Sequence, residues 1–235
     1  MFIADPGNSL VVADWSQMEM RILAHYSQDP LLLDAYTSAD EKDLHTLTAS
    51  RMFSKAETDV TKSERSIAKM INFGIVYGMT PIGLYNRSKP QGIEVTEDQC
   101  ERFIDDYFRT YAGVKRFLKD VEWVIRERGH VRSLFGRRRR VSGRTKRQIR
   151  QAQNFVVQGT ANDLAKDALA RLHSALPSGA KLIAMIHDEF ICECRADQSE
   201  EVRQLMIDVM QKSPDGFIVP LKVNAHIGQS WGDCK

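Results

Sequence analysis

Two aspartates stand where apolar runs of the sequence end. Asp14 directly follows the apolar residues 10–13, and Asp188 comes shortly after the apolar run Lys181–Ile186. Both runs predict buried strands that deliver a carboxylate at the strand end. A single carboxylate there is common as a cap or turn residue, but two on adjacent strands can hold Mg²⁺ together with substrate phosphates. Such a pair supports two-metal phosphoryl transfer, in a nuclease as well as in an enzyme that adds nucleotides.

A predicted helix after residue 61 carries a second candidate group. Residues 61–64 (Thr-Lys-Ser-Glu) have the pattern of a capping box, which predicts the helix start. Four residues spaced four apart then form one stripe: Arg65, Lys69, Phe73 and Tyr77. Two cations followed by two aromatics suit a nucleoside triphosphate, with the cations on the phosphates and Phe73 beside the sugar and base. An amphipathic helix with a buried aromatic end explains the same pattern without a ligand.

The charge distribution indicates a polyanionic partner. The chain has a net charge of +2, but residues 126–150 contain eleven Lys or Arg and only one acid, Glu127. The rest of the chain has 22 basic and 30 acidic residues. Four consecutive arginines, Arg137–Arg140, do not alternate with acids as they would on a solvated helix face. This segment therefore favours contact with nucleic acid.

The elements that must position these residues predict an α+β fold. Strands are expected at both ends of the chain, around Asp14 and in a hairpin with acids at its tip, followed by a last strand at Leu221–Ile227. Helical patterns fill the region between, with Asp43 as the N-cap of a helix at Leu44–Phe53. Residues 79–92 contain Pro81 and Gly83 and are predicted to be mostly loop. We expect a small sheet assembled from both ends of the chain, with an inserted helical domain.

Composition excludes several classes of protein. The four cysteines form no CxxC pair and no zinc-binding pattern with histidine, which favours a reduced, cytosolic setting. The start of the chain lacks the basic n-region of a secretory signal. The longest uncharged run, Met70–Asn86, is too short and too interrupted to span a bilayer, so no membrane partner is expected.

These motifs resemble those of the family A DNA polymerases, the bacterial polymerase I type. Asp14-Trp-Ser-Gln-Met-Glu-Met-Arg21 resembles motif A, Arg65–Gly78 resembles the dNTP-binding helix of motif B, and Ile186-His-Asp-Glu189 resembles motif C. Three further segments are similar to the family: Gly129–Arg139, Gln151–Ala161 and the closing Gly228-x-x-Trp231. The similar segments are collinear and cover nearly the whole chain. Trp15 departs from the family's usual Tyr, at a place where we expect it beside the metal site.

The resemblance implies a role for each of these residues. Asp14 and Asp188 match the two ligands of catalytic Mg²⁺ ions, for which Mn²⁺ is an expected substitute, and Glu189 matches a supporting catalytic carboxylate. Tyr77 matches the aromatic at the templating position, Phe73 a residue that recognises the sugar 3′ position, and Glu19 a residue that excludes ribonucleotides. The dNTP site is expected to comprise Gln17, Glu19, His45, Arg65, Lys69, Phe73 and Tyr77, with Lys69 also acting in catalysis. The expected contacts with primer–template DNA are Arg150, Asn154, Gln158 and His187.

The resemblance also implies a division into domains. It assigns residues 1–24 and 149–235 to the palm and residues 25–148 to the fingers. The sequence begins thirteen residues before Asp14, and we expect the family's thumb and exonuclease domains to be absent. The chain is then expected to need a thumb-bearing polypeptide partner to grip DNA. The expected location is the cytoplasm of a bacterial or phage-infected cell, with an organellar origin left open.

The predicted function is template-directed addition of a nucleotide from a dNTP to a primer 3′-OH. Two alternatives belong to other classes of protein. One is a non-catalytic remnant that binds nucleic acid or a partner chain, although the intact Asp14, Asp188, Arg65 and Lys69 argue against such decay. The other is a two-metal nuclease, which the stripe from Arg65 to Tyr77 disfavours.

Overall fold

The computed structural model describes residues 2–38, 42–143 and 145–234. Helices and strands follow one another in an order that begins and ends with strands. The helices are α1 (Met18–Ser27), α2 (Pro30–Thr37), α3 (Leu44–Phe53), α4 (Lys62–Val76), α5 (Pro81–Ser88), α6 (Glu97–Thr110), α7 (Ala112–Arg128), α8 (Lys146–Ala175) and α9 (Ser199–Gln211). The strands are β1 (Asn8–Trp15), β2 (His130–Arg132), β3 (Arg138–Arg140), β4 (Lys181–Ile186), β5 (Glu189–Arg195) and β6 (Val223–Gly228). The expected mixture of helices and strands is confirmed.

The chain divides into two compact units. One contains the chain up to Met18 and from Ala161 onward, and the other contains Glu19–Thr160. Within the described residues, none of the helices is long and apolar enough to cross a membrane.

The first unit is built on a four-stranded antiparallel sheet with the strand order β4-β5-β1-β6. The amino-terminal strand β1 lies between two strands from the other end of the chain, so the sheet uses both chain ends. Because side chains alternate along a strand, β1 directs Val11, Ala13 and Trp15 to one face and Leu10 and Val12 to the other. Helix α9 packs against β1 and β6, while Leu10 and Val12 join a buried cluster with Ile191 and Cys234.

The second unit is mainly helical, and its helix starts follow their sequence signals. Asp43 caps α3, since its Oδ1 accepts a hydrogen bond from the backbone N–H of His45 at 3.0 Å. Thr61 and Glu64 form the complete capping box of α4. Helices α3 and α4 pack together and share a buried polar network, in which the hydroxyl of Thr48 contacts Asn72 and Tyr111.

The prediction that residues 79–92 are mostly loop is wrong, because α5 occupies Pro81–Ser88 and a 3₁₀ turn follows. Pro81 is the first helical residue, where its missing N–H costs nothing and its fixed φ favours the helix. Thr80 is the N-cap, and its side chain accepts a hydrogen bond from the backbone N–H of Gly83 at 3.1 Å. The residues that suggested a loop are therefore a helix start.

Candidate nucleotide and metal site

Three acidic residues, Asp14, Asp188 and Glu189, lie at one end of the paired strands β1 and β5. Asp14 lies directly opposite Glu189 in the strand register, and facing residues in an antiparallel pair have Cβ atoms roughly 5 Å apart. Asp188 precedes Glu189, and its carbonyl oxygen accepts a hydrogen bond from the backbone N–H of Trp15 at 3.3 Å. Asp14 is half-buried and Asp188 is exposed. The sheet thus brings Asp14 of motif A and Asp188 and Glu189 of motif C to the same end of strands β1 and β5. We call this end of the two strands the carboxylate edge.

Unusual backbone conformations flank these carboxylates. Among the described non-glycine residues, four have a positive φ, and two of them are Gln17 (54°) and His187 (57°). Gln17 lies between β1 and α1, and His187 lies in the turn between β4 and β5. A non-glycine residue in this region costs on the order of 1 kcal/mol. At His187 this conformation is part of the tight turn that leads from β4 to Asp188 and β5.

The donor chemistry of this edge suits a hard divalent cation. Carboxylate oxygens are what Mg²⁺ takes from proteins, usually one or two of them, with water and substrate phosphates completing its octahedron. In the described part of the chain, no three His, Cys, Asp or Glu side chains are arranged to enclose a metal by themselves.

Trp231 donates a hydrogen bond to the carboxylate of Glu189. The side chain of Glu189 is 9% exposed, and its Oε1 accepts a hydrogen bond from the indole Nε1–H of Trp231 at 2.7 Å. The sequence analysis identifies Trp231 only as part of a segment similar to the family's C-terminus. A contact across 42 residues leaves no local signal, so sequence analysis missed it.

The side chain of Trp15 lies in the core of the first unit. Because residues alternate along β1, the ring of Trp15 points to the face opposite that of Asp14. It is buried edge-on against Phe190, with ring centroids 5.2 Å apart. Its Nε1–H donates to the carbonyl oxygen of Met210 at the end of α9, at 2.8 Å. The substitution of Trp for Tyr is therefore a change in core packing.

In the second unit, α4 presents its stripe on the open side of the helix. Arg65 and Lys69 are exposed, Phe73 is half-buried, and Tyr77, the C-cap residue, is 44% exposed. The opposite side of α4 is apolar and buried. The aromatic end of the stripe is thus only partly buried, at Phe73.

His45 lies beside this stripe and is buried. Its ring centroid is 5.4 Å from that of Phe73, and the amide nitrogen of Asn72 donates to its Nδ1 at 3.0 Å. An acceptor role for Nδ1 puts the ring proton on Nε2. Burial first, and then the positive charges of Arg65 and Lys69, lower the pKa of His45 to about 4, against the opposing effect of Asp43. His45 is thus a neutral N–H donor next to two cations.

Asp43 links the cap of α3 to the cations of α4. Its Oδ2 accepts a hydrogen bond from Nε of Arg65 at 2.8 Å, and the hydroxyl of Thr46 donates to the same oxygen. Burial would raise the pKa of Asp43, but the hydrogen bonds from Arg65, Thr46 and the His45 backbone outweigh it and hold the pKa at about 2. The sequence predicted Asp43 only as a helix cap, and its contact with Arg65 was missed.

Glu19, Tyr77 and Gln158 form a hydrogen-bonded set. The hydroxyl of Tyr77 contacts both carboxylate oxygens of Glu19, at 2.7 and 2.8 Å. The amide of Gln158 donates to the Tyr77 hydroxyl at 2.8 Å and to Glu19 at 3.2 Å. Burial, and then the hydrogen bond to Glu19, raises the pKa of Tyr77 to about 12. Residues assigned separately to sugar, template and DNA contacts thus meet in one place.

Three residues of α8 are predicted to contact DNA: Arg150, Asn154 and Gln158. The side chain of Arg150 covers Gly78, where an added Cβ would collide with its methylene carbons. Gly78 also has a φ of 72°, so both the space and the backbone require glycine. Among the described residues, the Nδ2 of Asn154 is buried without a hydrogen-bond acceptor. Such an enclosed donor is uncommon in folded proteins.

The arginine-rich segment forms the β2–β3 hairpin. Arg138–Arg140 are exposed, and Arg137 donates to the carbonyl oxygen of Gly159 at 2.9 Å. Arg137 and Arg139 both lie over the ring of Phe155, at 5.3 and 5.7 Å from its centroid. Arg144, which belongs to the same basic segment, lies outside the described residues. The hairpin offers a positive surface that packing against α8 partly fixes.

Paired carboxylates on a sheet and a helix face with two cations are typical of proteins that bind nucleotides together with metal ions. The family model of DNA polymerase family A matches residues 1–233. The chain therefore belongs to DNA polymerase family A.

Individual relatives agree with this family. The chain is 39% identical to DNA polymerase I of Chloroflexus aurantiacus, over 99% of this chain and 25% of that protein. It is 35% identical to DNA polymerase I of Aquifex aeolicus, over 98% of this chain and 40% of that protein. Among solved structures, the POL domain of Pol1 from M. smegmatis, in complex with DNA primer-template and dNTP, has a TM-score of 0.87 and 31% identity, over 99% of this chain and 42% of that one. The chain thus spans between a quarter and about two fifths of these relatives.

Proposed function

We propose that the chain catalyses template-directed DNA synthesis, the transfer of a nucleotide from a dNTP to a primer 3′-OH. The observation that carries the proposal is the open face of α4, where Arg65, Lys69 and Phe73 lie beside the neutral histidine His45. A nuclease does not require such a face, because it binds no free triphosphate. Membership of DNA polymerase family A supports the same reaction.

The triphosphate would bind along α4. Arg65 and Lys69 supply fixed positive charge for the phosphate oxygens, and the Nε2–H of His45 adds a neutral donor. Asp43 holds the guanidinium of Arg65 by its Nε, which orients the group before the substrate arrives. Phe73 offers an apolar ring for the sugar and base and has no hydroxyl to replace a missing 3′-OH.

Asp14 and Asp188 would hold the catalytic Mg²⁺ ions, with Glu189 as a supporting carboxylate. When bound, such ions activate the attacking oxygen and stabilise the charge on the leaving group. Asp14 is fixed by its place in β1 between β5 and β6. Asp188 is fixed by the strained turn at His187 and by the contact of its carbonyl with the Trp15 backbone. His187 and Gln17 flank this edge, His187 as a contact for the primer end and Gln17 for the nucleotide.

Glu19 would exclude ribonucleotides, and its partners explain how it can do so. A steric barrier must have a fixed position, and the hydrogen bonds from Tyr77 and Gln158 fix the carboxylate of Glu19. The same contacts hold Tyr77, the residue proposed to stack at the templating position. Selection at the sugar and at the template would therefore share one hydrogen-bonded set.

Primer–template DNA would lie along the first turns of α8. Arg150, Asn154 and Gln158 suit the minor groove, whose acceptors are nearly alike for every base pair, so the contact is independent of sequence. The exposed arginines Arg138–Arg140 would add phosphate contacts, which makes binding dependent on salt.

In this proposal the palm comprises residues 1–24 and 149–235, and the fingers comprise residues 25–148. A thumb-bearing polypeptide completes the grip on the duplex.

The test is primer extension with Mg²⁺ and dNTPs, on the chain alone and together with a thumb-bearing polymerase fragment. We expect extension that Asp188→Asn abolishes. Lys69→Ala should raise the dNTP concentration required, by the equivalent of roughly 1.5–3 kcal/mol for a charge-assisted contact. Lys89→Ala, on an exposed residue outside the α4 stripe, is the matched control.

Three outcomes would oppose the proposal. Duplex binding without extension in either setting would favour a non-catalytic role. Degradation of DNA in place of extension, lost in Asp188→Asn, would favour a nuclease. An unchanged dNTP dependence in Lys69→Ala would refute the assignment of the triphosphate to α4.

A further inference from the structure

Beyond the proposed metal ligands, the carboxyl-terminal turn makes contact with the carboxylate edge. Trp231 begins a 3₁₀ turn, Trp231–Cys234, just after the last strand β6. Its indole Nε1–H donates to Oε1 of Glu189 at 2.7 Å. Glu189 faces Asp14 across the β1–β5 pair and follows Asp188. The indole therefore touches the one acid that adjoins both proposed metal ligands.

Several contacts within the first unit hold Trp231 in place. The backbone N–H of Ser230 donates to Oδ2 of Asp233 at 2.8 Å, and the backbone N–H of Asp233 returns a hydrogen bond to the Ser230 hydroxyl at 3.3 Å. The backbone N–H of Trp231 donates to the carbonyl oxygen of Phe2, and the ring of Phe2 meets the indole edge-on at 5.9 Å. The indole also packs on the buried cluster of Leu10, Val12, Ile191 and Cys234. The direction of its N–H is thus determined by the fold.

The chemistry of the donor matters because Glu189 faces Asp14 in the strand register and follows Asp188 in the sequence. A lysine or arginine at this place would neutralise part of the negative charge that attracts a divalent cation. An indole N–H carries no net charge and has no acceptor function, so it fixes one carboxylate and leaves the charge of the group intact. Outer partners of this kind orient ligands, and their loss typically lowers metal affinity or activity by roughly 10- to 100-fold.

We propose that Trp231 is a positioning residue, which acts through Glu189 to keep the carboxylate edge ready for divalent metal ions. This inference rests on the proposed function for its link to catalysis, but the contact and its effect on metal binding can be measured separately. Trp231→Phe keeps most of the ring packing and removes the N–H donor. It should weaken Mn²⁺ binding about tenfold.

The first experiment uses NMR of the tryptophan indole groups in the ¹⁵N-labelled chain. Trp231→Phe assigns the Trp231 signal, and Glu189→Ala should then shift that signal while the signals of Trp15 and Trp123 stay in place. Added Mn²⁺ should broaden the Trp231 signal most, and Asp14→Asn should remove this broadening. A Trp231 signal that does not respond to Glu189→Ala would overturn the inference.

The second experiment is a double-mutant cycle on Mn²⁺ affinity, measured by electron paramagnetic resonance, and on steady-state primer extension. Trp231→Phe should lower Mn²⁺ affinity and kcat about tenfold and leave the KM for dNTP unchanged. In a chain that already carries Glu189→Ala, Trp231→Phe should have no further effect. Trp123→Phe, on an exposed tryptophan of α7, is the control. Effects of Trp231→Phe and Glu189→Ala that simply multiply would indicate a structural role only.

The two proposals fail in different ways. Mn²⁺ binding that is lost in Asp14→Asn but unchanged in Trp231→Phe overturns the role of Trp231 and leaves the proposed function standing. Trp231-dependent Mn²⁺ binding without primer extension overturns the proposed function and leaves the positioning role. A parent chain that binds no Mn²⁺ even in the presence of dNTP overturns both.

Discussion

Asp43 combines two stabilising contacts that different substitutions can separate. Its Oδ1 caps α3 at the His45 backbone, and its Oδ2 pairs with Arg65 of α4. Asp43→Asn keeps an oxygen for the cap and removes the charge of the ion pair, because Asn is as good an N-cap as Asp. Asp43→Ala removes both. The two variants should therefore differ by the contribution of the cap alone.

The structure sets the size of each effect. The pKa of Asp43 is held at about 2, below the ordinary value of 3.8, and each unit of such a difference corresponds to about 1.4 kcal/mol. The Asp43 side chain is 43% exposed, so solvent screening reduces the contribution of the ion pair to roughly 1 kcal/mol. Loss of an N-cap costs about another 1 kcal/mol. We expect losses of about 1 kcal/mol for Asp43→Asn and about 2 kcal/mol for Asp43→Ala.

Urea unfolding followed by far-ultraviolet circular dichroism measures both losses. A depressed carboxyl pKa stabilises the fold above the unfolded value, and this stability is lost as the pH falls toward the folded value. The difference between the parent and Asp43→Asn should therefore be complete at pH 7 and disappear between about pH 4 and pH 2. Asp105→Asn, on an exposed acid in the middle of α6, is the control. Equal losses in Asp43→Asn and Asp43→Ala would refute the capping argument, and a difference that persists at pH 2 would refute the ion pair.

Further predictions concern the same helical unit. The folded protein holds the pKa of His45 at about 4, below the ordinary 6.5. Acidification from about pH 6.5 to 4 should therefore cost up to about 3 kcal/mol of stability. In urea unfolding, His45→Gln should reduce this pH dependence, whereas the control His173→Gln, on an exposed histidine, should leave it unchanged. Gly78→Ala should destabilise the fold by at least about 1 kcal/mol, because its φ of 72° and the packed Arg150 both oppose a Cβ; a thermal melting curve that matches the parent would contradict this. Phe73→Tyr should improve the use of dideoxynucleotides relative to dNTPs by roughly fivefold, since a new hydroxyl can replace about 1 kcal/mol of a lost hydrogen bond. Primer extension with chain terminators measures that ratio, and efficient terminator use by the parent would refute the role of Phe73.

Features with local sequence signals could be predicted closely. The N-cap Asp43 and the capping box at Thr61 and Glu64 are where the sequence indicated, because their hydrogen bonds join residues two or three positions apart. The wrong prediction of a loop at residues 79–92 also came from a local signal, the proline at position 81. Pro81 was interpreted as a break, although a Thr followed by a Pro is also the start of a helix.

Contacts between distant residues could not be predicted. Periodicity placed Tyr77 at the end of the α4 stripe and Gln158 on α8, but it could not show that both side chains meet Glu19. The partner of Trp231 was equally hidden, since only the fold of the sheet brings it to Glu189. Residue type and spacing indicate which chemistry a chain can carry out. Tertiary packing decides which side chains are held in place for it.

The position of β1 has a consequence for how the chain is synthesised. Within the described residues this strand pairs with β5 and β6, so Leu10 meets its register partner Gly228, which comes more than 200 residues later in the sequence. At translation rates of about 5–20 residues per second, the first strand waits on the order of tens of seconds for its partners. The contiguous unit Glu19–Thr160 is complete much earlier and can fold during that time. Meanwhile the apolar segment 10–13 has neither of the strands with which it pairs in the folded sheet, and it stays exposed to non-native contacts until they are made.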